Sequence, residues 1–140
     1  MSTIPTLVES IISGALAAEE VTRKPASALA GTWRNRLGST LELTVHDDHH
    51  IHGTFTASVG VAHPGASFPV VGFAEADAVS FCVDFGRRGS VASWAGHHVH
   101  DDDGERLVTL WHLVQPVRDP HGEADVWAAL MAGADEFVRV

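Results

Sequence analysis

Apolar residues at the start of the chain recur at the spacing of an amphipathic helix. They are Ile4, Leu7, Val8, Ile11, Ile12, Ala15 and Leu16. This spacing predicts a helix over residues 1–21, and Pro5 suits its first turn. Residues 22–30, which contain Pro25, are predicted to form a linker. The helix could pack on the folded domain or on another subunit, or it could serve as a lid or a docking element.

From Gly31 onward the hydrophobic pattern changes to a period of two, which indicates half-buried strands. Four rows are predicted to face inward: Leu41, Leu43 and Val45; Ile51, Gly53, Phe55, Ala57 and Val59; Ser90, Ala92, Trp94 and Gly96; and Leu107, Thr109, Trp111 and Leu113. Eight strands are predicted, near 31–37, 39–46, 51–59, 67–74, 79–85, 90–99, 105–115 and 134–139. Short strands separated by turn residues favour an all-β fold, either an antiparallel up-and-down barrel or a sandwich.

The seventh predicted strand is apolar on both faces. Val108, Leu110 and Val114 alternate with the inward row of the same strand and would point outward. A strand that is apolar on both sides needs a second packing surface. That surface could be another subunit or the N-terminal helix.

Composition limits the classes of partner. A chain of 140 residues suits one domain. Its formal net charge of -9 argues against nucleic acid, and no apolar run approaches a membrane span. Cys82 is the only cysteine, so no internal disulfide is possible. No basic residue precedes Arg23 and Glu9 interrupts the apolar stretch, so we expect a cytoplasmic protein rather than a secreted one.

Several motifs in residues 31–140 together resemble the avidin and streptavidin family. They are Gly31-Thr32-Trp33, Asn35, Leu37-Gly38-Ser39, Gly53-Thr54-Phe55, Val59-Gly60, Trp94-Ala95-Gly96, Leu110-Trp111-His112-Leu113, Trp127 and Asp135. Each motif is weak alone, but their order and spacing are specific. The resemblance implies an eight-stranded up-and-down barrel whose mouth holds biotin or a biotin-like ligand, with no other cofactor.

The resemblance also implies a set of ligand-binding residues. An aromatic box would be formed by Trp94, Trp111 and Trp127, with Phe85 in place of a fourth tryptophan, and Leu113 would also contact the ligand. Asn35 and Ser39 would face the oxygen of a ureido group, and Asp135 would accept one of its N–H groups. Ser90 would lie near the ligand's carboxylate.

Four positions depart from the family pattern, and each has lost a hydrogen-bonding group. Phe55 stands where the family has tyrosine, Ala57 where it has serine, Val61 where it has asparagine and Ala92 where it has threonine. Each lost bond costs about 1 kcal/mol, or ~1–3 kcal/mol when a buried ligand group is left unpaired. We therefore predict that biotin binds weakly or not at all, and that the ligand is a different, less polar ring.

The sequence is also compatible with two other functions. An enzyme on the same barrel could use Asp135 as an acid or base in isomerisation or cyclisation. An interaction protein could dock a partner through its N-terminal helix. His46–His52 and His97–Asp103 contain residues that bind metals, but we interpret both as polar turns and expect no metal site. A homodimer or homotetramer is expected, in which Trp127 could reach a neighbouring subunit's pocket.

Overall fold

A computed structural model describes residues 9–12, 26–58, 65–117 and 121–140. Eight antiparallel strands form a closed barrel in sequence order, and the last strand pairs with the first. This confirms the predicted fold class. The strands are β1 (Gly31–Asn35), β2 (Thr40–Val45), β3 (His50–Thr56), β4 (Ser67–Glu75), β5 (Ala78–Asp84), β6 (Val91–Asp101), β7 (Gly104–Val114) and β8 (Leu130–Arg139).

Most described residues of the predicted inward rows are buried in the barrel, whereas Val45, Trp111 and Leu113 are partly buried and Val59 lies outside the described residues. On β2, Leu41 and Leu43 are buried while Glu42 and Thr44 are exposed. The largest fully buried side chains are Trp33, Phe81 and Phe137. Closing the sheet removes unpaired strand edges, so the backbone of every strand is hydrogen-bonded on both sides. The core fills one end of the barrel and leaves the other end open.

The open end, here called the mouth, lies where β1, β3, β5 and β7 end and β2, β4, β6 and β8 begin, and the segments that join these strands are called the mouth connections. Gly38 has a φ of 89° in the β1–β2 turn, a conformation that glycine adopts without steric cost. The tight turn brings Ser39 back beside Asn35, whose side-chain oxygen accepts a hydrogen bond from the Ser39 N–H at 2.9 Å. The two predicted site residues of this hairpin are therefore held together at the mouth.

The opposite end is closed by a 3₁₀ turn, Ala26–Leu29, that precedes β1. Leu29 is fully buried, and its carbonyl accepts a hydrogen bond from the Trp33 indole N–H at 3.0 Å. Arg139 lies over the Trp33 ring and donates to the carbonyls of Ala28 and Ala30. The second half of the predicted linker is thus packed against the barrel.

Glu105 holds Arg139 in this position. Its carboxylate accepts two hydrogen bonds from the Arg139 guanidinium, each at 2.7 Å, and one contact of 2.7 Å from His98. The hydrogen bond from Arg139 is the main reason why the pKa of the Glu105 carboxyl falls from 4.5 to about 2. This ion pair ties β7, β8 and the 3₁₀ turn together.

Most strand ends lie within two residues of the prediction, but β3 ends at Thr56 rather than near 59, and two other elements differ more. The last strand begins at Leu130 rather than near 134, because residues 130–133 continue the ladder with β7. A short helix, α1 (Glu123–Ala128), was not predicted; its residues are all exposed, and six residues are too few to show an amphipathic period.

Of the predicted N-terminal helix, the structure describes residues 9–12, which are helical, and the rest lies outside the described residues. No helix in the described ranges is long and apolar enough to cross a membrane.

The histidine-rich turns lie at the closed end, as expected from the topology. His46 and His52 share a hydrogen bond of 2.6 Å between ring nitrogens, and His98 contacts Glu105. Within the ranges described above, no group of three or more metal-ligating side chains is arranged to hold a metal ion.

Candidate functional site

A cavity of about 510 Å³ opens at the mouth. This volume lies in the range typical of small-molecule sites. Most of the predicted ligand-binding residues line it: Asn35, Ser39, Phe55, Ala57, Phe85, Ser90, Ala92, Trp94, Trp111, Leu113 and Asp135. Val61 lies outside the described residues. Trp127 lies on α1 with 66% of its surface exposed and does not line the cavity of its own chain, so its role across a subunit boundary stays a prediction.

Among the described residues that line the cavity, Asp135 is the only one with an acidic side chain. It sits on β8 opposite Thr109, whose hydroxyl donates to the Asp135 backbone carbonyl at 2.8 Å. Its Oδ2 accepts hydrogen bonds from the Asn35 amide at 3.1 Å and from the Trp94 indole N–H at 3.2 Å. Its Oδ1 accepts the Glu136 backbone N–H at 2.9 Å. A carboxylate has about four acceptor positions, so one remains for a ligand N–H or O–H.

Ser39 is the second polar group with a fixed position. Its hydroxyl oxygen accepts the Ser58 backbone N–H at 3.1 Å and lies 3.3 Å from the Ser58 hydroxyl. The Ser58 hydroxyl donates its own proton to the Leu37 carbonyl at 2.6 Å. The Ser39 proton can therefore go either to Ser58 or to a ligand oxygen. This contact between two mouth connections could not be predicted from the sequence.

Aromatic rings form one wall of the cavity. Trp94 lies between Phe55 and Phe81, with ring centroids 5.4 Å and 5.3 Å away, and the Phe81 ring is stacked behind it. Phe55 and Phe85 meet edge to face at 6.2 Å. These contacts fix flat apolar surfaces around the cavity, which suits a ring-shaped ligand.

Trp111 is paired with Trp94 across β6 and β7 and packs over Gly133 of β8. A side-chain carbon on Gly133 would come within 2.6 Å of the Trp111 ring. Glycine at this position therefore allows the indole to lie flat against the strand and face the cavity.

The departures from the family pattern face the cavity. Phe55, Ala57 and Ala92 are all lining residues and are at least nine-tenths buried. Their side chains carry no hydrogen-bonding atom. At these three positions the cavity thus presents hydrocarbon where the resemblance implies polar groups.

Five lining residues were not predicted from the sequence: Arg36, Leu37, Arg88, Gln115 and Ala134. All lie on the mouth connections or beside Asp135. The two arginines are exposed. A charged residue on a turn usually faces solvent, and only closure of the barrel brings these turns around one opening.

Comparison with known proteins finds one matching family and several similar structures. The model of the Avidin family matches residues 23–140. Xenavidin is 30% identical in sequence, with a TM-score of 0.67 over 80% of this chain and 96% of its own. The structure of AVR2 is 27% identical, with a TM-score of 0.70 over 84% and 98%. A biotin-binding protein from chicken has the same fold at 24% identity, with a TM-score of 0.70 over 84% and 99%.

Proposed function

Because this chain belongs to the avidin family, we propose that it binds a small cyclic ligand less polar than biotin, and binds biotin itself weakly. The observation that carries this proposal is the apolar character of Phe55, Ala57 and Ala92, which all line the cavity. A urea buried against these side chains would leave donors and acceptors without partners. Sites discriminate strongly against ligands whose polar groups are left unpaired.

The size of the effect follows from the number of missing partners. Each unpaired polar group of a buried ligand costs about 1–3 kcal/mol, and ~1.4 kcal/mol corresponds to a tenfold change in affinity. Three such losses would weaken biotin by several orders of magnitude relative to a site with all its polar groups. The aromatic wall would still bind an apolar ring, because burial of its surface needs no polar partner.

The single free acceptor position on Asp135 supports one directed contact. A ligand with one inward N–H or O–H would satisfy it, whereas a second donor would face hydrocarbon. The ligand class that fits best is therefore a compact ring with one hydrogen-bond donor.

We favour binding over the alternative of an acid–base enzyme using Asp135. Three N–H groups already donate to this carboxylate and fix its orientation, which suits a hydrogen-bond acceptor for a ligand. Turnover of a candidate substrate that is abolished by Asp135→Asn, with the fold retained, would reverse this preference.

Calorimetry with biotin and lipoate tests the proposal. Lipoate has a similar carboxylate tail on a dithiolane ring that lacks the urea and carries no donor for Asp135, so it tests binding to the aromatic wall alone. We expect lipoate to bind at least as tightly as biotin. Stoichiometric biotin binding at nanomolar concentration would refute the proposal. Independently of these titrations, native mass spectrometry of protein purified from its own host would reveal a retained ligand directly.

We also propose that β7 contacts a second copy of the chain, giving a homodimer or homotetramer. Leu110 is 64% exposed at the centre of the outer face of this strand, and Val91, Val114 and Leu130 form a neighbouring apolar row. Leu110→Glu should shift the protein to monomer in light scattering, whereas Glu136→Gln on β8 should not. An unchanged mass for Leu110→Glu would rule out this surface.

A further inference from the structure

Three histidines lie on one face of the β2–β3 hairpin, at the closed end of the barrel. His46 follows the last residue of β2, and its backbone N–H donates to the His50 carbonyl at 2.9 Å, so the two residues face each other across the hairpin. His50 and His52 lie two residues apart on β3 and project from the same side of that strand. All three residues are exposed. The outer surface of the hairpin therefore carries three imidazole rings close to one another.

The distances between these rings are close to those around one metal ion. The His46 and His52 rings are stacked with centroids 4.7 Å apart, and His46 Nε2 lies 2.6 Å from His52 Nδ1. The His46 and His50 centroids are 6.3 Å apart. Two nitrogens on a tetrahedral zinc ion lie about 3.3 Å apart, so the first pair must open by less than about 1 Å. The described rings do not surround a common point, but exposed side chains turn within nanoseconds, and rotation of His50 brings in a third nitrogen.

The surroundings of the three rings favour a cation. A cavity of about 430 Å³ at this hairpin is lined by the three histidines together with Asp47 and Asp48. Asp48 Oδ1 accepts the His50 backbone N–H at 3.0 Å, which fixes the turn and keeps a carboxylate beside the rings. Among the described residues that line this cavity there is no lysine or arginine. A positive ion bound here would therefore lie next to negative charge only.

The fourth histidine of the turn is engaged elsewhere and holds the backbone in place. His49 has a φ of 66°, and its Nδ1 lies 3.0 Å from the Ala74 carbonyl and 3.5 Å from the Glu75 carboxylate. Its own carbonyl accepts the Ala74 backbone N–H at 3.0 Å. These contacts attach the turn to β4. A turn that is already fixed lowers the cost of bringing three side chains to one ion.

We propose that His46, His50 and His52 bind a divalent transition metal ion on the outer surface of the closed end. Neutral imidazole suits zinc, copper and nickel, whereas magnesium and calcium prefer oxygen ligands. Three protein ligands leave a fourth position for water. This proposal replaces the polar turn that the sequence alone favoured, because the sequence does not show that rings from both strands meet on one face. The ion joins the ends of β2 and β3 and does not depend on the ligand cavity at the mouth.

Titration of the untagged 140-residue chain with zinc chloride tests the site, with binding measured by calorimetry and stability by thermal unfolding. Two variants remove ligands: His46→Gln/His52→Gln and His50→Gln. The matched control is His97→Gln/His100→Gln, which removes two exposed histidines from β6. Magnesium chloride serves as the control ion.

We expect the chain to bind zinc with a stoichiometry of one. Zinc at about 100 times its dissociation constant should raise the unfolding midpoint by roughly 5–10 °C. Loss of a single group that only orients a metal ligand weakens binding about 10- to 100-fold, so His50→Gln should lose at least about tenfold and the double variant more than about 100-fold. The control variant should bind zinc within about threefold of the native chain, and magnesium should not bind measurably.

Several results would overturn the site. They are the absence of saturable zinc binding, unchanged binding in His46→Gln/His52→Gln or in His50→Gln, and an equal loss in the control variant. Magnesium binding as tight as zinc binding would also overturn it, since carboxylates rather than imidazoles would then be the ligands. The titrations with biotin and lipoate probe the other end of the barrel, so failure of the metal site and failure of the small-molecule function are distinguishable.

Discussion

Returning hydroxyl groups to positions 55 and 57 should restore affinity for biotin. Phe55→Tyr and Ala57→Ser place these groups on two side chains that line the cavity and lie two residues apart on one face. Both residues are buried, at 6% and 4% exposure, so a new hydroxyl would face the ligand rather than bulk water. The backbone need not move, because each change adds a single oxygen.

The expected gain can be worked out from hydrogen-bond energies. One restored hydrogen bond contributes about 1–1.5 kcal/mol, so the double variant should gain roughly 2–3 kcal/mol. This corresponds to a 30- to 150-fold tighter dissociation constant for biotin. Binding of lipoate, which has no urea, should change by less than about threefold. The two residues share one ligand, so their effects need not add, and a double-mutant cycle would measure the coupling.

The assay is calorimetric titration with biotin, with thermal unfolding to verify the fold. Phe73→Tyr and Ala95→Ser provide matched controls, since both positions are exposed on the outer surface of the barrel. The controls should leave biotin binding unchanged. If the folded double variant binds biotin within threefold of the parent, missing hydroxyl groups do not explain the low affinity, and the reasoning fails.

Three further changes test other parts of the structure. Gly133→Ala should force the Trp111 ring off β8, cost about 1–3 kcal/mol of stability and weaken ligand binding; an unaltered binding curve in titrations would contradict the role given to that contact. Trp94→Phe should keep an aromatic ring, although a smaller one, and remove the N–H bonded to Asp135, weakening donor-bearing ligands about fivefold while sparing the apolar N-phenyl-1-naphthylamine in fluorescence titrations. Because the Glu105 carboxyl has a pKa of about 2 instead of 4.5, its pairing stabilises the fold fully above about pH 5, and this contribution is lost as the pH falls toward 2. Glu105→Gln should therefore lower stability by roughly 1–2 kcal/mol at pH 7, after allowance for solvent screening, and flatten the acid side of the stability curve; parallel pH profiles for the two proteins would refute this.

The barrel could be predicted from sequence because its inward rows alternate cleanly. Leu41, Leu43 and Phe55 all point into the core, as a period of two requires. The beginning of β8 could not be predicted in the same way. Leu130 and Met131 are both exposed in the chain, so pairing with β7, rather than hydrophobic burial, defines that part of the strand.

The candidate site likewise contains residues that could be predicted from the sequence and residues that could not. Aromatic and polar residues on strands could be predicted because the family motif fixes their order, and the structure brings Trp94, Asn35 and Asp135 into contact. Arg36 and Arg88 could not, since their meeting at one opening depends on closure between distant segments. The Ser39–Ser58 contact was missed for the same reason, because it joins two separate connections.

The position of residue 140 has a practical consequence for attaching the protein to a surface. The Val140 N–H donates to the Thr32 carbonyl, and Arg139 is held by Glu105, all at the closed end of the barrel. A tether fused after Val140 would leave from the side away from the cavity. Molecules immobilised in this way would point their openings toward the solution, where a sensor or an affinity resin needs them.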